Sequence, residues 1–283
     1  MSLVTLDHIV GSQSNMSTYT LPVELYANIA EYATKGDLLN LMLASRILYN
    51  EVERILYRAV ELNIHGKNSD SCKTILRNLS SNPKRAEYVV KLHLSCAQRD
   101  PEITQTATAA LRQMTKLRHL TFSPHSLLLQ TLTDGCTFQL HYLEFHNSRT
   151  QDVNYLPTFF ALQPQIEHLN IDYYHRDEVF PPSVLPRLRI LDGPLTLMRA
   201  LLRDQSRPIV KLSWVYSGGE FQKCVPFPAL EVLRLSGGDD LSTFKLEVPS
   251  VAPNLRFLKL RAEILHVSNA VQISPDHLYQ TIL

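Results

Sequence analysis

Leu140-His141-Tyr142-Leu143-Glu144-Phe145 reads as apolar, two variable positions, Leu, one variable position, apolar. The same phrase recurs on both sides. Upstream it is Val89-Val90-Lys91-Leu92-His93-Leu94 and Leu117-Arg118-His119-Leu120-Thr121-Phe122. Downstream come Ile166-Glu167-His168-Leu169-Asn170-Ile171 and a weaker copy, Leu188-Arg189-Ile190-Leu191-Asp192-Gly193, with Gly in the last apolar slot. Ile209 to Trp214, Leu230 to Leu235 and Leu255 to Leu260 complete the series. One such phrase is weak evidence in a chain with many leucines. Eight copies, with central leucines 21 to 28 residues apart, make a period. Side chains alternate along a strand, so the central Leu and the apolar residue two places on share one face. The residues between them point the other way. A single strand cannot bury such a face alone, whereas stacked copies can.

The stretches between phrases read as helical or irregular. Helical composition runs over 101–114, and short apolar helices are expected over 153–162 and 195–202. Pro181, Pro182 and Pro186 punctuate loops, and 180–183 and 226–228 read as extended connectors. The phrase and its period resemble a leucine-rich repeat, whose unit spans about 20–29 residues. The resemblance implies an α/β fold over 63–283, an irregular solenoid of about eight repeats. Regular repeats carry Asn or Cys after the strand. Here the aligned slots hold Ala97, Tyr174, Thr196, Ser217, Gly238 and Glu263. An ordinary α/β domain of right-handed β-α units is the competing reading.

Residues 19–62 carry a different pattern. Pro22 has the fixed φ that suits a first helical position, and Glu24 favours the positive end of the helix. Leu25, Ile29 and Tyr32 keep one helical face apolar, and Lys35-Gly36 reads as the end of that helix. Asp37 reads as the cap of a second helix. Leu48, Val52, Ile55 and Leu56 have helical spacing for a third. Three short helices enclose a very small core, which normally leans on something else. Residues 1–18 are polar and mixed, and disorder is expected there. At the other end, 275–283 is read either as a capping helix or as part of a chain that stops short.

Leu21-Pro22-x-Glu24-Leu25-x-x-x-Ile29, followed by Asp37-Leu38-Leu39 and Leu41, resembles an F-box. Leu43-Ala44-Ser45-Arg46-Ile47-Leu48-Tyr49 and Glu51-Val52-x-Arg54-x-Leu56-Tyr57-Arg58 are similar to the version in many fungal F-box proteins, which often carry a degenerate leucine-rich-repeat tail. Many F-boxes have Cys-Arg-x-Trp in the third helix, where this chain has Ser45-Arg46-Ile47-Leu48. The resemblance implies a three-helix F-box that docks on the Skp-type adaptor of a cullin–RING ubiquitin ligase. Carried over by motif, the contact residues are Leu21, Pro22, Leu25, Ile29, Leu38 and Leu39. Leu25 and Ile29 read equally well as core. The function implied is that of a non-catalytic substrate receptor in ubiquitin-dependent degradation, with an unknown protein substrate. An interaction scaffold without a ubiquitin role is the second expectation.

Positions one before, one after and three after each central Leu face away from the apolar side. They include Lys91, His93, Ser95, His119 and Thr121, then Lys211, Ser213 and Phe257. The candidate substrate-binding residues are Tyr142, Glu144, His146, His168, Asn170, Asp172, Arg234, Lys259 and Arg261. A plain solvated strand face is the competing reading.

A net charge of +1 supplies no basic field for nucleic acid. No run approaches the ~20 apolar residues of a membrane span, and the polar start does not read as a signal peptide. Cys72, Cys96, Cys136 and Cys224 form no C-x-x-C pair, so reduced thiols and a cytoplasmic or nuclear location are expected. The sequons at Asn15 and Asn78 are then read as chance. His141, His146, His168 and His175 lack metal-ligand spacing, and neither a metal nor a cofactor is expected. No nucleophile-elbow, P-loop or dinucleotide motif occurs, so no enzyme is expected.

Overall fold

The computed structural model describes residues 22–44, 46–64, 69–96, 101–123, 135–146, 155–172, 174, 179–203, 207–216, 227–237 and 252–262. The chain divides into two compact units, Met1–Ile55 and Leu56–Leu283. The expectations for 1–18 and 275–283 lie outside the described residues.

The first unit is helical: α1 (Val23–Tyr32), α2 (Lys35–Ala44) and α3 (Arg46–Arg58), whose last turn belongs to the second unit. Ala30, Leu38, Leu48 and Val52 are its buried centre. The helix ends differ from the sequence reading. Pro22 stands just outside α1 with ψ at 143°, and its carbonyl accepts from the Leu25 N–H (3.0 Å). Lys35 and Gly36 open α2 rather than closing α1. Thr34, not Asp37, caps α2: the Asp37 N–H donates to Thr34 Oγ1 (3.3 Å), and that hydroxyl donates to the Asp37 carboxylate (2.6 Å). A hydroxyl three residues ahead of a carboxylate forms a reciprocal pair, which places the carboxylate inside the first turn.

Among the described residues, the second unit is built on nine parallel strands in sequential order. They are β1 (Ala59–Ile64), β2 (Lys91–Cys96), β3 (His119–Ser123), β4 (Tyr142–Phe145) and β5 (His168–Ile171). Then come β6 (Ile190–Pro194), β7 (Lys211–Tyr216), β8 (Val232–Gly237) and β9 (Phe257–Ala262). All eight phrases become strands, each beginning at the phrase's third residue. The central leucines pair in unbroken register: Leu92, Leu120, Leu143, Leu169, Leu191, Leu212, Leu233, Leu258. The class is α/β with an open parallel sheet. Strand β1 adds a ninth copy, Val60 standing opposite Leu92.

The apolar face of the sheet is one layer of the core. Leu94, Phe122, Phe145 and Ile171 are buried beside the leucines, and the rings of Phe122 and Phe145 lie 4.8 Å apart. Helices between the strands supply the other layer. These are α4 (Ser69–Ser81), α5 (Pro83–Tyr88), α6 (Pro101–Gln113), α7 (Leu156–Ala161) and α8 (Leu195–Leu202). Leu76, Leu111, Phe159 and Leu197 join the same buried cluster.

Three polar or small residues complete the packing. A Cβ on Gly193 would stand 2.8 Å from the Ile171 carbonyl oxygen and 3.0 Å from Leu197, so Gly in the weak phrase lets α8 and β5 close on β6. Buried Gln163 accepts from the Leu140 N–H (2.8 Å) and donates to the Phe138 carbonyl (3.2 Å). Buried Arg207 donates to the carbonyls of Pro181 (2.8 Å), Val184 (2.9 Å) and Leu201, tying down the irregular segment before β6. No helix among the described residues is long and apolar enough to cross a membrane.

Candidate functional site

Two surfaces carry the sequence-derived candidates. The first is on the helical unit. Side chains of Leu25 (43% exposed), Ile29 (46%) and Leu39 (56%) face outward, whereas Leu38 (6%) lies in the unit's own core. Pro22 is exposed, and Leu21 lies outside the described residues. Tyr32, Leu43 and Ile47 are also exposed, and Ile29, Tyr32, Asn40 and Leu41 line an open groove.

The second surface is the polar face of the sheet. Strand alternation turns the residues flanking each buried Leu to this side. Register then sets Thr121, Glu144, Asn170 and Asp192 in one row, and His119, Tyr142 and His168 in the next. Glu144 is the hub. Its Oε2 accepts from the Tyr142 hydroxyl (2.8 Å) and Thr121 Oγ1 (3.1 Å), and its Oε1 accepts from Asn170 Nδ2 (2.9 Å). His146 bridges two carboxylates, with Nε2 3.2 Å from Glu144 and Nδ1 2.9 Å from Asp172. A neutral imidazole carries one N–H and can serve one of them; the cation serves both.

His168 Nε2 lies 3.1 Å from the Asp192 carboxylate, and its ring meets Tyr142 edge-on, 4.5 Å between centroids. Asp192 was absent from the sequence-derived candidates, although it fills the slot one place after a central Leu. The weak apolar pattern of its phrase hid it.

The electrostatics follow from this packing. Burial pushes the Glu144 carboxyl up, but hydrogen bonds from Tyr142, Thr121 and Asn170 and the nearby His146 more than offset it, leaving the net shift downward. Asp192 behaves alike: burial raises it, and His168, Ser213 and Lys211 bring it below its ordinary value. Burial, then the Glu144 bond and charge, hold the Tyr142 hydroxyl protonated well above the usual tyrosine range. His119 is lowered by burial and by Lys91 and other nearby imidazoles.

Toward β8 and β9 the face changes sign. Arg234 and Lys259 stand side by side in register and exposed, next to half-buried Val232 and Phe257. Arg261 occupies a β9 position opposite Ser236 in β8, and its side chain lies outside the described residues.

The structure thus brings together Tyr142, Glu144, His146, His168, Asn170 and Asp172, and sets Arg234 and Lys259 apart from them on β8 and β9. Among the described residues no group of three or more His, Cys, Asp or Glu is placed to hold a metal ion; His175 lies outside them. What the central cluster offers chemically is a fixed array of hydrogen-bonding groups, held in place by each other. Comparison with protein-family models finds no match, and no curated protein matches the chain significantly.

Proposed function

We propose that the chain is the substrate-recognition subunit of an SCF-type cullin–RING ubiquitin ligase. It docks the Skp-type adaptor through an F-box at 19–62 and a protein substrate through the polar face of a leucine-rich-repeat-like array. One observation carries the reading. Of the large apolar side chains that the described residues leave exposed, seven of nine (Leu25, Ile29, Tyr32, Leu39, Leu43, Ile47 and Tyr49) fall on three consecutive helices. A unit with so few buried residues gains more from covering those side chains than from leaving them in water. Burying one Leu is worth ~1.5–3 kcal/mol. The F-box resemblance supplies the occupant. The period of the phrase, one strand per period and the sequential strand order support the repeat reading of the second unit.

Co-purification with the Skp-type adaptor tests this. The variant is Leu25→Asp with Leu39→Asp, both exposed in the free chain and so tolerable to the fold. Wild type retains the adaptor, and the variant, with unchanged circular dichroism, loses it by about tenfold or more, since ~1.4 kcal/mol is tenfold. Failure of folded wild type to retain the adaptor defeats the reading.

A further inference from the structure

The two halves of the polar face differ in how their charges are met. In the centre every carboxylate named above has a partner: Glu144 with Tyr142, Thr121, Asn170 and His146; Asp172 with His146; Asp192 with His168. That half is complete without a ligand. At the other end, Arg234 and Lys259 are neighbours in parallel register and both exposed. Strands lie about 4.8 Å apart, so two cations in adjacent slots repel. Among the described residues neither has a carboxylate partner. Two places back on the same strands, on the same face, Val232 and Phe257 stand half-buried side by side.

We propose that the β8–β9 end of the polar face binds an acidic peptide segment in which a carboxylate side chain and an apolar side chain stand two residues apart. The carboxylate bridges Arg234 and Lys259 and relieves their repulsion. The apolar side chain covers Val232 and Phe257, because i and i+2 of an extended peptide share a face at the spacing of those two rows. The carboxylates of Glu144, Asp172 and Asp192 repel an acidic segment from the centre and so fix where it lies. A net charge of +1 and the acidic centre favour a peptide over nucleic acid. This identifies the class of substrate and rests on reading the polar face as the substrate surface.

The probe is a fluorescein-labelled peptide, Gly-Ser-Glu-Ser-Leu-Ser-Glu-Gly-Ser, followed by fluorescence anisotropy on the full chain. Its counterparts carry Lys for Glu, or phosphoserine for Glu, and a single-stranded oligonucleotide is the fourth ligand. Wild type binds the acidic peptide, more weakly as salt rises. Arg234→Glu with Lys259→Glu weakens it on the order of tenfold or more and gains binding of the Lys peptide, a reversal that mere unfolding cannot produce. Lys116→Glu, which reverses an exposed cation outside the polar face, does not weaken the acidic peptide. No binding by wild type, binding indifferent to charge reversal, binding of the phosphoserine peptide alone, or tighter binding of the oligonucleotide each overturns the proposal. Adaptor capture is scored on the same preparations. Adaptor retained without peptide binding sinks this site and leaves the receptor reading standing. Peptide binding that reverses with charge, without adaptor capture, supports the site and removes the ligase.

Discussion

Glu144 sits where four neighbours converge, and its ionisation is therefore coupled to folding. Its carboxyl is lowered in the folded chain, as is that of Asp192. A lowered acid stabilises the fold above its unfolded value and loses that stabilisation as pH falls through its folded value. The ordinary values are 4.5 for Glu144 and 3.8 for Asp192, so the loss begins below them. His119, a lowered base, adds an earlier loss as pH drops below its ordinary 6.5, because the unfolded chain takes up the proton first. The melting temperature is therefore expected to decline gently as pH drops below 6.5 and more steeply once it falls below 4.5. Glu144→Gln keeps the shape of the side chain but removes the titration, and flattens the steep part. An unchanged acid slope in that variant means the bonds to Tyr142, Thr121 and Asn170 do not form in solution.

At the scale of the element, the phrase was the most legible feature. It combines a period-two apolar alternation with a Leu whose buried neighbours are other copies of itself, so sequence alone places eight strands and their shared face. Helices α6, α7 and α8 were equally readable from composition, and the expected ranges contain each of them in full. Strand β1 was not, because Tyr57 and Val60 fill slots held by aliphatic residues and Leu elsewhere. The phrase also says nothing of helices α4 and α5, although Cys72, Leu76 and Leu79 recur at helical spacing. The register of the central leucines sets which residues of the polar face are neighbours, but which neighbours bond depends on side-chain rotamers that the phrase does not encode. Sequence therefore supplied the row but not the pairs within it.

Gln163 illustrates a device that no pattern announces. It sits in the turn after α7 and satisfies two backbone groups of the segment that leads into β4. Gln163→Leu keeps the volume and strands the Leu140 N–H and the Phe138 carbonyl, costing about 1–3 kcal/mol in chemical denaturation. A cost near zero means water replaces the amide.

The whole molecule is an assembly of two units with two chemically different surfaces, one apolar and helical, the other polar on a sheet. The two surfaces share no residue, so the two partners of the proposed receptor draw on different side chains. Hydrogen–deuterium exchange of the full chain, with and without the Skp-type adaptor, tests that division most directly. The account predicts slowed exchange confined to α1, α2 and α3, with β3 to β5 unchanged. Exchange unaltered everywhere, or slowed across the sheet instead of the helices, contradicts it.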